Sequence, residues 1–444
     1  MDAQAGRKAQ RNAHLTGQGV HASFCNPEEV ADTQALQESL RTLTDGLHML
    51  TGLTVACGNA DHSLFCSHGN AREYDIIDGQ PILSPIPLHE NSLYDLASLT
   101  KVFTAVAVLQ LVEDGSLGLQ DILSYLDPRF HNLRDTTLLE ALSYQAVMRS
   151  PQRIDAQPDA KSAKAQLFEI ARYTGPEPAK IYSDMNALVL GCVVEHVSGL
   201  SLYEYFKERI LVPCGMEQTF AAVPNHRLAD CLDYNWEYQY LNGRHLLRTD
   251  ITPGLPHDPK ARLLAGEGML CGHAGLFSSV GDMIRFAQGL LRGKLLSHRT
   301  LMEMGVNRTG RHGEGQPYRQ FLGYLVFSKS PDQHLSEVPG WMGSHAFGIS
   351  GYTGNHFALD PQAGVFDVFL GNRCHHRLTA LEPHSSALPM GLDERGAGQV
   401  RWPDGRMIYS SYHYYYQKDR LLHAPVQHLL QARGWISGNN RKER

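Results

Sequence analysis

From Lys101 to Val112 the chain reads KVFTAVAVLQLV, and only Lys101, Thr104 and Gln110 interrupt the apolar run. A helix that is apolar on every side has to be enclosed by other elements, so this segment predicts a central helix around which the fold is packed. Ser98 is placed to cap its first turn, Ala, Leu and Val fill its body, and Gly115 follows Glu113 and Asp114 as a stop. The lysine in the first turn is the anomaly. Residues three apart share a helix face, so Ser98 and Lys101 stand side by side. Burial strips an ammonium of water and lowers its pKa unless a carboxylate compensates. A lysine so shifted can take the proton of the neighbouring hydroxyl and make it a nucleophile. The helix N-terminus adds positive potential where an oxyanion would form. A capping serine beside a snorkelling lysine is the plainer alternative. However, this is the only S-x-x-K in the chain, and it opens the most apolar helix.

With 444 residues the chain can form one large domain or two intimately packed ones. A formal charge of −6, mild and scattered, points to neither nucleic acid nor an anionic membrane as a partner. No stretch reaches the length of a membrane span. The polar start, MDAQAGRKAQRNAHLTGQGVHASFCNPEEV, has no apolar core of a signal peptide, so a cytoplasmic location is expected unless a leader has been removed. Eight cysteines lie at positions 25, 57, 66, 192, 214, 231, 271 and 374 with no C-x-x-C among them. They read as buried free thiols rather than a disulfide framework. The 23 histidines form no H-E-x-x-H. Cys374-His375-His376 reads as a surface or loop cluster, so neither a metal nor another cofactor is expected.

Residues 1–34 read as a flexible arm. TQALQESLRTLTDGLHML then has helical periodicity, and GLTVACGN and SLFCSHG alternate as two antiparallel strands. After the apolar helix, residues from about 120 to 295 are mostly helical with long loops. Strands return at FLGYLVFS, GYTGNHFALD and VFDVFLGN, the last two joined by the turn Pro361–Gly364. The C-terminal segment ends in another amphipathic helix. The economical fold is of the α/β, α+β type: an antiparallel sheet from N- and C-terminal segments, flanked by helices, with a mostly helical region inserted. The Ser98 helix would lie at the seam, where clefts form.

A Ser-Lys pair needs a second proton carrier and oxyanion donors. Tyr182, in AKIYSDMNALVLGCVVEHVSG, stands at a helix entrance as Ser98 does, and is preferred over Tyr240, which YQYLNGRHLL explains by its Asn242-Gly243 hairpin turn. The competing view of Tyr182 is an interfacial ring beside a capping Ser183 or Asp184. For the oxyanion, GISGYTGNHFALD offers Gly351 and Gly354 around Tyr352-Thr353, where a ligand can approach backbone N–H groups closely. The alternative NRTG at 307–310 leads into a loop without strand character.

The ordered set SLTK, YSD and ISGYTG, followed by a hairpin, resembles the serine β-lactamase-like superfamily, and is most similar to its branch of class C β-lactamases, DD-peptidases and family VIII carboxylesterases. GHAGLFSSVGDMIRFAQGLL, HVSGLSLYEYFKERILVPCGMEQTFAAVP and LDPQAGVFDVFLGNR agree with that branch, and the resemblance runs from about residue 35 to about residue 375. It implies a β-lactamase/transpeptidase-like fold over 35–375, with 376–444 as an extension packed on it. It implies Ser98 as the acylated nucleophile, Lys101 as its proton partner, Tyr182 as the second general base and acid, and the N–H groups of Ser98 and Tyr352 as the oxyanion hole. Asp184, Ser350, Gly351, Asn372 and Arg373 fall where the family places substrate-binding groups.

Two departures bear on activity. The family usually has Asn where Asp184 stands, and a carboxylate there would hold Lys101 charged and shift the burden to Tyr182. Its Lys or His that opens the third motif is Ile349 here, which cannot pair with a substrate carboxylate. The expected activity is acyl-enzyme hydrolysis of an ester or amide of a small molecule or short peptide, with weak or no action on β-lactams. The alternatives are an acyltransferase using the same acyl-serine and a binding protein with a degenerate site.

Overall fold

The computed structural model describes residues 12–15, 20–25, 33–176, 178, 180–313, 316–332, 336–382 and 390–437. Its main sheet has the strand order Asn12–Leu15, Val20–Cys25, Ser63–Ile77, Gly52–Asn59, Val365–Gly371, Asn355–Asp360, Phe347–Gly351 and Phe327–Ser328, with Gln80–Pro87 paired onto Ser63–Ile77. The two ends of the chain meet in the middle of this sheet, where Val365–Gly371 runs antiparallel to Leu53–Asn59. The turn after Asp360 is built as its sequence requires. Asp360 Oδ1 accepts the N–H groups of Gln362 and Ala363 at 3.0 and 2.9 Å, and Gly364 takes φ 70°.

The apolar helix, Thr100–Glu113, is buried from Thr100 through Leu111. It packs beside the second apolar helix, Asp184–Ser198, and Phe103 stacks on Phe286 at 4.2 Å. Each of its polar interruptions finds a partner, although the Gln110 side-chain oxygen has none. Thr104 donates to the Gly272 carbonyl at 2.7 Å, and Gln110 donates to the carbonyls of Arg209 and Leu295 at 3.0 and 3.1 Å. No single helix among the described residues is long and apolar enough to cross a membrane.

A second sheet joins the inserted region to the C-terminal segment. Its order is Arg244–Arg248, Glu237–Leu241, Arg377–Leu381, Met407–Ser410, Gly398–Arg401 and Met390–Leu392, with Arg377–Leu381 parallel to both neighbours. Residues beyond 375 therefore share a sheet with the insertion. Tyr240 lies in the hairpin expected for it, with Asn242 and Gly243 at φ 52° and 70°.

Four expectations are corrected. The arm contributes two strands, Asn12–Leu15 and Val20–Cys25, to the edge of the sheet, while residues 1–11, 16–19 and 26–32 lie outside the described residues. Cys25 and Cys66, expected as free thiols, form a disulfide, because the strands pair with these two residues directly opposite. The other six cysteines are free and buried. Cys374, His375 and His376 are buried as well, His375 accepting the Tyr74 N–H at 3.0 Å and His376 stacking on Tyr74 at 4.4 Å, so they form no surface cluster. FLGYLVFS supplies only the short strand Phe327–Ser328, because the chain before it turns, the Gly323 N–H donating to the Val326 carbonyl at 3.0 Å.

Candidate active site

Ser98 sits in a single tight turn, Ala97–Leu99, that runs into the apolar helix, and its side chain makes no capping bond. The capping role expected for it is thereby corrected. Ala97 has φ 47°, a conformation that costs a non-glycine residue roughly 1–3 kcal/mol. Asp95 holds it there. One carboxylate oxygen accepts the Ala97 N–H at 2.9 Å, the other accepts the His257 N–H at 2.6 Å, and the Asp95 carbonyl takes Thr353 Oγ1 and Asn355 Nδ2 at 2.9 and 2.7 Å. The turn is thus fixed to the strand-turn-strand that carries Tyr352.

Lys101 has no exposed surface. Its Nζ donates to Ser98 Oγ at 2.9 Å, to Asp184 Oδ1 at 2.8 Å and to the His273 carbonyl at 3.3 Å. Three acceptors match the three protons of an ammonium. Burial pulls its pKa down, but the Asp184 charge and Tyr182 outweigh it, and the net shift is upward. Burial pushes Asp184 the other way, and Lys101, His273 and Lys260 together hold it below the ordinary carboxylate range. The second oxygen of Asp184 meets Lys260 at 3.0 Å; Lys260 also contacts Asp258 at 3.2 Å, and Asp258 pairs with His273 Nε2 at 2.9 Å. Asp184, Asp258 and His273 are close enough to one another to hold a cation, but here the two ammonium groups fill that role. Asp184, expected among the substrate-binding groups, therefore faces the two lysines.

Tyr182 precedes the helix Asp184–Ser198, whose cap is Ser183 accepting the Met185 N–H at 3.2 Å. Gln320 fixes this entrance by accepting the N–H groups of Ile181 and Tyr182, both at 2.9 Å. The Tyr182 ring lies between Tyr144 and Phe327, with centroids 5.6 and 5.0 Å away, and Lys101 Nζ is 5.0 Å from its own centroid. Burial raises the pKa of its hydroxyl, against the opposing pull of Lys101 and Ser98 nearby. Ser98, Lys101 and Tyr182 are thus neighbours, and all three belong to helix entrances.

The strand Phe347–Gly351 is pressed onto the Ser98 turn. A Cβ on Gly351 would lie 2.7 Å from the Leu96 carbonyl, so no side chain fits. Tyr352 follows at once, and four residues fix it. Its carbonyl accepts Arg373 at 3.1 Å and the Tyr415 hydroxyl at 3.0 Å, its hydroxyl donates to Glu237 at 2.7 Å, and its ring stacks on His257 at 5.2 Å. Three other expected substrate-binding residues do not face this cluster. Ser350 donates to Glu337 at 2.6 Å, on the opposite side of the strand from buried Ile349. Asn372 serves backbone groups of Asp233, Cys374 and His375. Arg373, buried, binds the carbonyls of Tyr352 and Thr379.

Lys260, Asp258, His273, Glu237 and Tyr415 were not singled out from sequence. The Asp258-Pro259 pair at a helix start and the GHAG run around His273 were the available local signals; nothing local marks Glu237 or Tyr415. A cleft of about 450 Å³, lined by Arg149, Ser150, Arg153, Lys180, Tyr182 and Lys260 among others, opens beside the cluster.

The sequence pattern of the Beta-lactamase family matches residues 71–384. A curated relative, "Putative D-alanyl-D-alanine carboxypeptidase" of Salmonella gallinarum, is 28% identical over 355 residues, covering 73% of this chain and 79% of its own. Among solved structures, unliganded simvastatin synthase from Aspergillus terreus is similar with TM-score 0.61 at 16% identity, over 91% of this chain and 99% of that one. EstCE1, a hydrolase with promiscuous acyltransferase activity, has TM-score 0.58 at 20% identity, over 78% of this chain and 95% of its own. At these identities the structural likenesses speak for the fold alone, and the family match carries the assignment: with 71–384 of its 444 residues matched, the chain belongs to the Beta-lactamase family and is an enzyme of the serine hydrolase type.

Proposed function

We propose that the chain is an acyl-serine hydrolase that cleaves an ester or amide of a small molecule or short peptide and acts weakly or not at all on β-lactams. The observation that carries this reading is the fully buried Lys101 Nζ at 2.9 Å from Oγ of the partly exposed Ser98. Ser98 Oγ adds to the substrate carbonyl, and its proton passes to the Lys101–Tyr182 pair. The pair has to enter the step one proton short of its resting ammonium–phenol form to act as the base. The N–H groups of Ser98 and Tyr352 receive the oxyanion. The pair then returns the proton to the departing alcohol or amine, leaving the acyl group on Ser98. Water repeats the sequence from the same side, and Ser98 recovers its proton.

The cleft beside Tyr182 is of small-ligand size. Ile349 is fully buried, so this strand carries no cation to meet a carboxylate. The name of the Salmonella relative would put a peptide carboxylate in the site, and Ile349 argues for substrates that lack one at that point. Intact-mass spectrometry with a short activated p-nitrophenyl ester tests the reading. An acyl adduct is expected on the wild type and none on Ser98→Ala; equal labelling of Ser98→Ala would place the nucleophile elsewhere.

A further inference from the structure

His356, Asp367 and His423 converge from three segments, the strands Asn355–Asp360 and Val365–Gly371 and the C-terminal turn Asp419–His423. All three side chains are buried, at 1%, 0% and 3% exposure. His356 Nε2 is 3.6 Å from Asp367 Oδ1 and His423 Nε2 is 4.0 Å from Asp367 Oδ2, beyond hydrogen-bond range. One donor atom from each lies within 4.8 Å of the other two. Apart from a poorly aligned Ala358 amide near the carboxylate, neither Nε2 nor either Asp367 oxygen has a hydrogen-bond partner. Buried polar atoms are seldom left so.

The opposite ring nitrogens are tied down. His423 Nδ1 is 2.8 Å from Asp419 Oδ1. His356 Nδ1 is 3.1 Å from Ser350 Oγ, and Ser350 donates onward to Glu337, which Lys418 also binds at 2.7 Å. Each Nδ1 is therefore the protonated nitrogen, donating to a carboxylate or a hydroxyl, and each Nε2 turns its lone pair inward. This is how histidines are oriented for a metal. Two lone pairs and a carboxyl group then face one point beyond hydrogen-bond reach of one another, and a cation satisfies all three.

We propose that His356, Asp367 and His423 bind one divalent transition-metal ion, zinc by the donor set, which fastens the C-terminal segment to the central sheet. Two imidazoles and a carboxylate suit zinc, and bonds of 2.0–2.2 Å put tetrahedral ligands about 3.3–3.6 Å apart, so the two histidine–aspartate distances of 3.6 and 4.0 Å need to close by less than about 1 Å. The site supplies three protein ligands, which leaves a fourth position for water. The Lys418 charge on this face is balanced by Glu337. These residues lie apart from Ser98, so failure here leaves the acyl-serine reading standing.

The test is metal content and thermal unfolding of the purified full chain, neither of which depends on turnover. After incubation with zinc sulfate and desalting, about one zinc per chain is expected by plasma mass spectrometry, with a lowered Tm on chelation and recovery on zinc addition. Asp367→Asn and His423→Ala should lose both the zinc and the zinc-dependent part of the Tm. If His423→Ala does not fold, His423→Cys, which keeps a zinc ligand, should fold and retain the metal. Zinc-free wild type with a Tm indifferent to zinc would overturn the proposal, as would full zinc in both Asp367→Asn and His423→Ala.

Discussion

Lys101 Nζ bonds Asp184 Oδ1 at 2.8 Å and Ser98 Oγ at 2.9 Å, so the group beside Ser98 is held as an ammonium by a carboxylate 83 residues away. On the proposed acyl-serine reading, the base for Ser98 is therefore in short supply at neutral pH. Burial lowers the Lys101 pKa, Asp184 raises it, and the second effect prevails. Because a base works only in its unprotonated form, kcat/KM should climb with pH into the alkaline range. Asp184→Asn removes the largest raising charge and leaves burial to push downward against Tyr182 alone. The rising limb of the pH profile should move to lower pH in that variant; an unmoved or upward-shifted limb would contradict the assignment.

Lys101→Ala should slow acylation by ~100- to 10,000-fold, the usual worth of a positioned general base. Tyr182→Phe should fall in the same range, with the larger loss on poor leaving groups, since these need the returned proton most. Stopped-flow release of p-nitrophenol set against release of an alkyl alcohol reads the difference. Equal losses on both leaving groups would deny Tyr182 the proton-return role.

Ile349 leaves a substrate carboxylate without its cation. A missing charge-assisted contact costs ~1.5–3 kcal/mol, and each 1.4 kcal/mol is about tenfold. Turnover of short p-nitrophenyl esters should be measurable, while nitrocefin and benzylpenicillin should be cleaved slowly or not at all. The ratio of the two kcat/KM values cancels errors in active-site concentration, and efficient penicillin hydrolysis would refute the expectation.

Tyr415 donates to the carbonyls of Gly351 and Tyr352 at 2.9 and 3.0 Å, bracing the strand end from behind. Tyr415→Phe removes both bonds, each worth about 0.5–1.5 kcal/mol. As a positioning residue it should lower kcat several-fold with KM nearly constant, and Tyr415→Phe should lose more kcat than Tyr416→Phe, whose ring is exposed. A loss of Tm with kcat intact would leave Tyr415 a purely structural role.

Gly272 packs against the helix that follows Tyr182, and a Cβ there would lie 2.1 Å from the Ala187 carbonyl. Gly272→Ala should destabilise by about 1–3 kcal/mol or more, seen as a lower denaturant midpoint, and should depress activity because that helix carries Asp184.

The apolar helix, the three helix- and strand-borne motifs and the hairpin turns could be read from sequence because each is specified within a few residues, by periodicity, capping chemistry or turn geometry. The same holds for the antiparallel sheet made from both ends of the chain, since its strands are short apolar-rich runs and its Asp360 turn is local. What lay beyond reach was which distant side chains would meet. Asp184 reaches both Lys101 and Lys260, Tyr415 reaches Gly351 across 64 residues, and Cys25 finds Cys66 through strand register. Ser350, Asn372 and Arg373 carry the right chemistry in the right order, yet pleat alternation and burial turn them to other partners. Sequence pattern reports a residue's face and period; only packing decides which charge neutralises which, and that pairing sets the proton affinities on which this site depends.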